Sequence, residues 1–292
     1  MGANDVIKSI QDGTALVVTG PHIRWMERPE HEQLPSAKAV AFELRSLFLQ
    51  YKHPRPGRFS ASSLGECPRR VVFEYAGAPA LPMDIEYMEM ADHGTAAHQR
   101  WQREGLTMGY MTEAEVWAYD ATLGLGGSMD AVLEDESIFE AKTVTPTKYR
   151  DVVMTRNAPL YQHLLQLNGY FLLTGRTWAS LVYENRATGR FHEFRVQPDD
   201  ALVLDVSRKL DSYRRYVADD VLPPQRPECE IRVGDVYHRC PFRKMCHKPA
   251  TVSEASALPA GAHGQLPPTE IVLPDWAKEI LAHLDELVGE QA

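Results

Sequence analysis

The sequence predicts a mixed α/β domain, a β-sheet with helices packed against it. Three observations lead there. From Glu113 the apolar pattern changes from helical spacing to alternation: EAEVWAY and SIFEAKTV alternate, with GLGGSMDAVL between them, and the three read as consecutive strands. A second pair, TWASLVYEN and RFHEFRV, brackets Ala187 to Gly189 and reads as a hairpin. Segments of helical period stand before, between and after these groups, so the order is helix, three strands, helix, two strands, helix.

Taken in order, residues 1–35 show no assignable pattern. Ser36 to Tyr51 predicts an amphipathic helix opened by a serine cap. Lys52 to Arg58 (KHPRPGR) is a basic Pro/Gly connector, read as a solvated linker with a phosphate contact as the alternative. Ser60 to Tyr75 reads as a capped turn running into a short helix, and Ile85 to Glu104 as a longer helix carrying His98. The acidic EDES turn joins the second and third strands. Pro159 to Thr174 is a helix with proline near its first turn and Gly175 as its stop. Asp199 to Asp219 places Leu202, Val206, Leu210, Tyr213 and Val217 on one face. Residues 223–249 look irregular and cysteine-rich. Residues 250–274 read as an Ala/Pro/Gly linker, after which Asp275 caps a short helix with Ile280, Leu281, Leu284, Leu287 and Val288 on one side.

Composition bounds the function. The chain has 292 residues, 44% hydrophobic and 24% charged, as in ordinary soluble proteins. It holds no run of about 18 apolar residues and no secretory start, and Gly2 lacks the pattern for myristoylation, so the expected compartment is the cytoplasm and no membrane partner is expected. The net charge of −9 excludes a basic coat protein for DNA but not an enzyme that holds phosphate through a divalent metal. There are four cysteines, Cys67, Cys229, Cys240 and Cys246. In a cytoplasmic chain they suggest a cluster or a structural zinc rather than disulfides.

The sharpest chemical signal is Asp130 followed, after nine residues, by Glu140-Ala141-Lys142. Glu140 and Lys142 are two apart on a predicted strand and share a face. Asp130 lies near the end of the preceding strand, and antiparallel pairing brings it beside Glu140. Two close carboxylates form a hard oxygen site suited to Mg²⁺ or Mn²⁺, and a lysine on the same face can orient or deprotonate water. Gly126-Gly127-Ser128, just upstream, is small enough for a large ligand to approach the backbone. Arg69, Arg70, Arg100 and Arg103 lie near these motifs and are candidates for a basic groove, with solvated helix faces as the alternative.

These residues resemble the RecB-like branch of the PD-(D/E)xK nuclease superfamily. The motif order is matched by His98 in DHGTAAHQRWQ, Asp130 in GGSMDAVL, Glu140-Ala141-Lys142, and Gln166 to Tyr170 as QxxxY, covering about residues 60–250. The closest subgroup is the one with an iron–sulfur cluster, which includes CRISPR-associated RecB-like exonucleases, AddB and phage recombination exonucleases. Its N-terminal signature is matched by Ser60 to Tyr75. The resemblance implies a restriction-endonuclease-like α/β core with an iron–sulfur clasp, in which 1–58 is an N-terminal helical segment, 59–249 the nuclease domain, 250–274 a linker and 275–292 a C-terminal helix. It implies a Mg²⁺- or Mn²⁺-dependent DNA exonuclease acting on linear duplex or single-stranded ends in recombination, repair or CRISPR-type processing, with a recombination or adaptation partner protein. His98, Asp130, Glu140 and the Ala141 carbonyl would ligate metal, Lys142 would serve the water, and Gln166 and Tyr170 would orient the DNA strand or Lys142.

For the clasp, the resemblance makes Cys67, Cys240 and Cys246 ligands of a 4Fe–4S cluster. The family's remaining cysteine falls at Tyr237 here, so Cys229 is the available thiolate and His238 a lesser candidate. A Cys₄ zinc site is the rival to the cluster. The rival to the enzyme is a non-catalytic DNA-binding or assembly module that keeps the clasp.

Overall fold

Alternation in the strands sends side chains to both faces of one sheet, and helices cover both. The computed structural model describes residues 17–28, 35–49, 56–81, 85–232, 238–258, 278–279 and 282–283. Residues 52–55 of the basic connector, Tyr237, residues 259–274 of the expected linker and the apolar side of the expected C-terminal helix lie outside the described residues.

Two helices come first, α1 (Thr19–Met26) and α2 (Ala37–Leu49). The expected serine cap is present: Ser36 Oγ accepts from Ala39 N at 3.2 Å. A two-residue strand β1 (Phe59–Ser60) and a 3₁₀ turn lead into α3 (Pro68–Ala76), which has proline in its first turn and stops at Gly77 in the left-handed region, φ 67°. The long helix α4 (Ile85–Met108) runs a turn beyond Glu104, because Leu106 is buried and Gly109, at φ 82°, ends it.

The three predicted strands are β2 (Met111–Asp120), β3 (Leu125–Leu133) and β4 (Ile138–Val144). A strap not foreseen from the sequence follows. It consists of α5 (Pro146–Tyr149), capped by the Thr145 side chain, and a π-helical stretch, Arg150–Arg156. Then come α6 (Tyr161–Thr174), ended by Gly175 as expected, the hairpin β5 (Ala179–Asn185) and β6 (Phe191–Val196), and α7 (Asp200–Ala218). Asp199 caps α7 by accepting from Ala201 N and Leu202 N. A short helix α8 (Pro227–Glu230) lies in the cysteine-rich segment, and α9 (Val252–Ser256) occupies the start of the stretch expected as a linker, with Val252 and Ala255 buried against α3.

The sheet is mixed. β3 pairs antiparallel with β2 along one edge. Its other edge is shared: β1 pairs parallel at Leu125 and Gly126, and β4 antiparallel at Ala131 and Val132. β4 pairs parallel with β5, and β5 antiparallel with β6. On one face α6 and α7 pack Leu165, Leu167, Phe171, Val206 and Leu210 against Met129, Ile138, Leu181 and Tyr183. On the other, Trp101 and Leu106 of α4, with Val18 and Ala39 from the N-terminal helices, pack against Ala131, Phe139, Ala141 and Val182. A third cluster joins α3 to Leu222, Phe242, Met245, Val252 and Ala255. None of the described helices is long and apolar enough to cross a membrane.

Candidate active site

The shared edge of β3 opens the site. β1 covers residues 125–126 and β4 covers 131–132, so residues 127–130 have no strand beside them on that edge. Asp130 stands at the point where β3 and β4 part. Glu140 occupies the next rung of that register, as the sequence reading expects, but backbone pairing has already stopped. Instead the Asp130 carboxylate accepts the Ala141 N–H at 2.8 Å. On the β2 side, Glu115 would face Asp130 in register; it takes φ 55°, a left-handed conformation in mid-strand, and this rung is missing from the ladder. The freed Asp130 carbonyl accepts from Gln102 Nε2 at 2.7 Å.

Helix α4 therefore grips Asp130 at both ends. His98 and Gln102 are four apart and share a helix face. His98 Nδ1 lies 3.2 Å from Asp130 Oδ1, while Gln102 holds the carbonyl and donates also to Glu115 at 3.0 Å. Gln102 escaped the sequence reading, although its spacing from His98 was the available signal.

Glu140 is buried on the α6 face of β4. Lys142 Nζ sits 2.7 Å from its Oε1. Gln166 Nε2 donates to the same Oε1 at 2.8 Å and to the Tyr170 hydroxyl at 2.9 Å, and that hydroxyl donates to the Ser128 carbonyl at 2.6 Å. Gln166 and Tyr170 thus fix the Glu140 carboxylate relative to the open edge of β3, and their contacts go to Glu140 and Ser128 rather than to Lys142 or an exposed groove. The other oxygen, Glu140 Oε2, is buried with no hydrogen-bond partner.

Charge is unevenly held. Burial, then the neighbouring Asp130, pushes the Glu140 carboxyl up to about 7. Burial works against ionised Asp130 too, but His98, Lys142 and the Ala141 N–H outweigh it and hold its pKa below the usual range. His98 and Lys142 are raised, burial being outweighed by Asp130 for the first and by Glu140 and Asp130 for the second. Asp130 is held toward its ionised form, while burial and the Asp130 charge resist ionisation of Glu140.

Two expectations change. A Cβ on Gly127 would lie 2.6 Å from the Tyr170 ring, and one on Gly126 2.8 Å from Trp117. These glycines make room for the protein's own aromatics, not for a ligand. The four arginines proposed for a groove are engaged within the chain. Arg69 is buried and donates to the carbonyls of Pro223, Cys246 and Pro249. Arg70 pairs with Glu66 and Glu74, Arg100 with Glu184, and Arg103 with Glu43 and Glu104.

Among the described residues, no group of three or more His, Cys, Asp or Glu side chains is gathered so as to hold a metal ion as it stands. At the acidic pair, Lys142 and Gln166 engage Glu140 and His98 engages Asp130. The donor set nonetheless fits a hard cation: two adjacent buried carboxylates, one of them with an unpartnered oxygen and a pKa raised by burial and by its neighbour. Ala141 meets Asp130 through its N–H.

The cysteines share one neighbourhood. Cys67 caps α3 at its N-terminus. Cys229, Cys240 and Cys246 all have thiols pushed up, Cys246 to about 11, by burial first and with the other cysteines adding to it. Four thiols are the donor type that a cluster or zinc takes, but among the described residues the cysteines are not gathered closely enough to hold one ion as they stand. The segment is also held by Arg69, by Gln225 donating to the Cys246 carbonyl, and by Leu81 N donating to Pro241 O.

No family model matches the chain, and no curated protein matches it. Solved structures align in part, among them the following. An alkaline exonuclease (LHK-Exo) from Laribacter hongkongensis aligns at 17% identity and TM-score 0.43, over 59% of this chain and 91% of its own. The protein SSO0001 aligns at 21% identity and TM-score 0.46, over 73% and 96%. A phage-related exonuclease from Haemophilus somnus 129PT aligns at 13% identity and TM-score 0.40, over 58% and 96%.

Proposed function

We propose that the chain is a metal-dependent DNA exonuclease of the RecB-like PD-(D/E)xK type, hydrolysing phosphodiester bonds from DNA ends. The observation that carries this reading is the convergence of Asp130, Glu140 and Lys142, with His98 on Asp130 and an unpartnered Glu140 oxygen, at the open edge of β3. A purely structural ion pair has no need of a second, uncompensated carboxylate in its core.

Asp130, Glu140, His98 and the Ala141 carbonyl would hold Mg²⁺ or Mn²⁺. When bound, such an ion activates water and offsets charge on the phosphate. Cation charge beside Glu140 would favour its ionised form against the burial that raises its pKa. Gln166 and Tyr170 keep Oε1 fixed, so that Oε2 has one direction to offer. Lys142, on the same face as Glu140, would orient the attacking water and face the charge that builds on the phosphoryl oxygens. The end-directed mode follows the resemblance at His98.

Cys67, Cys229, Cys240 and Cys246 would hold a 4Fe–4S cluster, with zinc as the rival, in a structural role, since hydrolysis moves no electron.

End-labelled linear duplex and single-stranded DNA should be digested with Mg²⁺ or Mn²⁺, with closed circles spared and activity lost in chelator. Cleavage that persists in a metal-stripped sample, or in Glu140→Ala, would overturn the reading.

A further inference from the structure

The face that carries Glu140 and Lys142 also holds polar groups with no part in the reaction above. Tyr183 is the register partner of Lys142 across the parallel β4–β5 pair, so the two side chains stand side by side. His163 lies on α6 one turn before Gln166. Gln166 reaches Glu140 on β4, and His163 Nδ1 lies 2.7 Å from the Tyr183 hydroxyl on β5.

The hydrogen bonds among the described residues favour one tautomer. The Tyr183 oxygen accepts Leu160 N–H at 3.0 Å. Its own proton has no acceptor among the described residues other than His163. Nδ1 therefore accepts, and the ring hydrogen sits on Nε2. Burial, then the charges of Lys142 and Lys148, hold the imidazole pKa down to about 3, so the ring is neutral. Nε2 makes no hydrogen bond to the described residues and is not among the enclosed atoms that lack a partner. It is a fixed, neutral donor with nothing to donate to.

Cations stand nearby, where β4 and β5 end. Arg186 N donates to the Val144 carbonyl, joining the two strand ends, and Lys148 lies in the first turn beyond Val144. Lys148, Arg150, Arg186 and Arg190 are exposed, and none pairs with a carboxylate among the described residues. In a chain of net charge −9, four cations with no carboxylate partner among the described residues make this end of the sheet favourable for an anion.

We propose that His163 and Lys148 bind a phosphate of the nucleic-acid backbone next to the one that is cleaved, His163 through Nε2–H and Lys148 through its charge. This rests on the nuclease reading. It makes His163 a substrate-binding residue that sets the strand's register against Lys142, and it assigns neutral and charged contacts to different side chains.

The test uses the full chain with Ca²⁺ in place of Mg²⁺ and short labelled oligonucleotides, each carrying one uncharged methylphosphonate at a different linkage. His163→Asn keeps an acceptor for Tyr183 but loses the outer donor; Lys148→Ala leaves His163 alone. At one linkage the methylphosphonate should weaken binding to the parent about tenfold, as loss of a charged hydrogen bond does, and weaken binding to either variant much less. Lys148→Ala should reduce the salt dependence by about one phosphate's worth, and His163→Asn should leave it unchanged. A parent that cleaves DNA while neither variant shows coupling at any linkage overturns this inference alone. A parent that neither binds nor cleaves any of the oligonucleotides overturns the nuclease reading and this one with it.

Discussion

Asp130 and Ala141 are joined across the point where β3 and β4 part, the carboxylate of one taking the N–H of the other at 2.8 Å. A side chain thus completes a ladder that the backbone abandons. That makes Asp130 a structural group and a candidate ligand at once, and Asn at this position should separate the two. Asp130→Asn keeps an oxygen for Ala141 and should retain near-parental thermal stability, while losing activity by on the order of 100-fold or more. Lys142→Ala should lose a similar factor, about 10²–10⁴. Turnover near the parental rate in either variant, by the end-labelled assay, would remove these residues from the chemistry.

Glu140 sets the pH dependence of the metal-free protein. Its folded pKa is near 7 against an ordinary value of 4.5, so between these the folded chain holds a proton that the unfolded chain has released. The associated stability is complete below about pH 4.5 and is lost as pH rises through 7. Glu140→Gln removes this titration. Its unfolding free energy relative to the metal-free parent should therefore climb from pH 5 to pH 8, by an amount on the order of 1–3 kcal/mol, and the variant should be inactive. A difference that is flat with pH would mean that Glu140 is ionised without metal.

Gly127 should tolerate no side chain. A Cβ there would press the Tyr170 ring at 2.6 Å with Ala61 close beside it at 3.1 Å. Gly127→Ala should cost about 1–3 kcal/mol and reduce activity, because the displaced hydroxyl no longer steadies Gln166. Calorimetry and the digestion assay on one preparation test both; a variant as stable and as active as the parent would show that the ring yields freely.

The clasp should bear both colour and stability. Protein purified without oxygen should be brown, with about four irons per chain, and Cys67→Ser should lose the colour. Arg69→Met should destabilise by about 3 kcal/mol or more, since it leaves buried carbonyls unpaired. A colourless anaerobic protein with stoichiometric zinc would put zinc in place of the cluster and leave the Arg69 expectation standing.

Much of this could be read along the chain. β2, β3 and β4 follow from alternation, α6 from its period and Gly175, and α7 from Asp199, because each depends on neighbours in sequence. Glu140 and Lys142 share a face for the same reason. Other features depend on distant partners and leave little local trace. Arg69 reads as a solvated cation until the carbonyls at 223, 246 and 249 are beside it. Gly126 and Gly127 read as open backbone until Trp117 and Tyr170 fill the space. The π-helical Arg150–Arg156 stretch has the residue types of an ordinary helix, and its one buried residue, Val152, packs into a core built from distant segments. Glu115 shows its left-handed twist only opposite Asp130.

The acceptors of Arg69 lie up to 180 residues further along the chain. During synthesis, α3 emerges early and must wait with a buried-type arginine and an apolar face exposed until residues 223–255 have left the ribosome. The sheet between them has time to form first, so the acidic pair can be assembled before the segment that seals the outside exists. A nascent chain stalled in that interval would carry Asp130, Glu140 and Lys142 already assembled on an unsealed scaffold, open to proteases while it is still tethered.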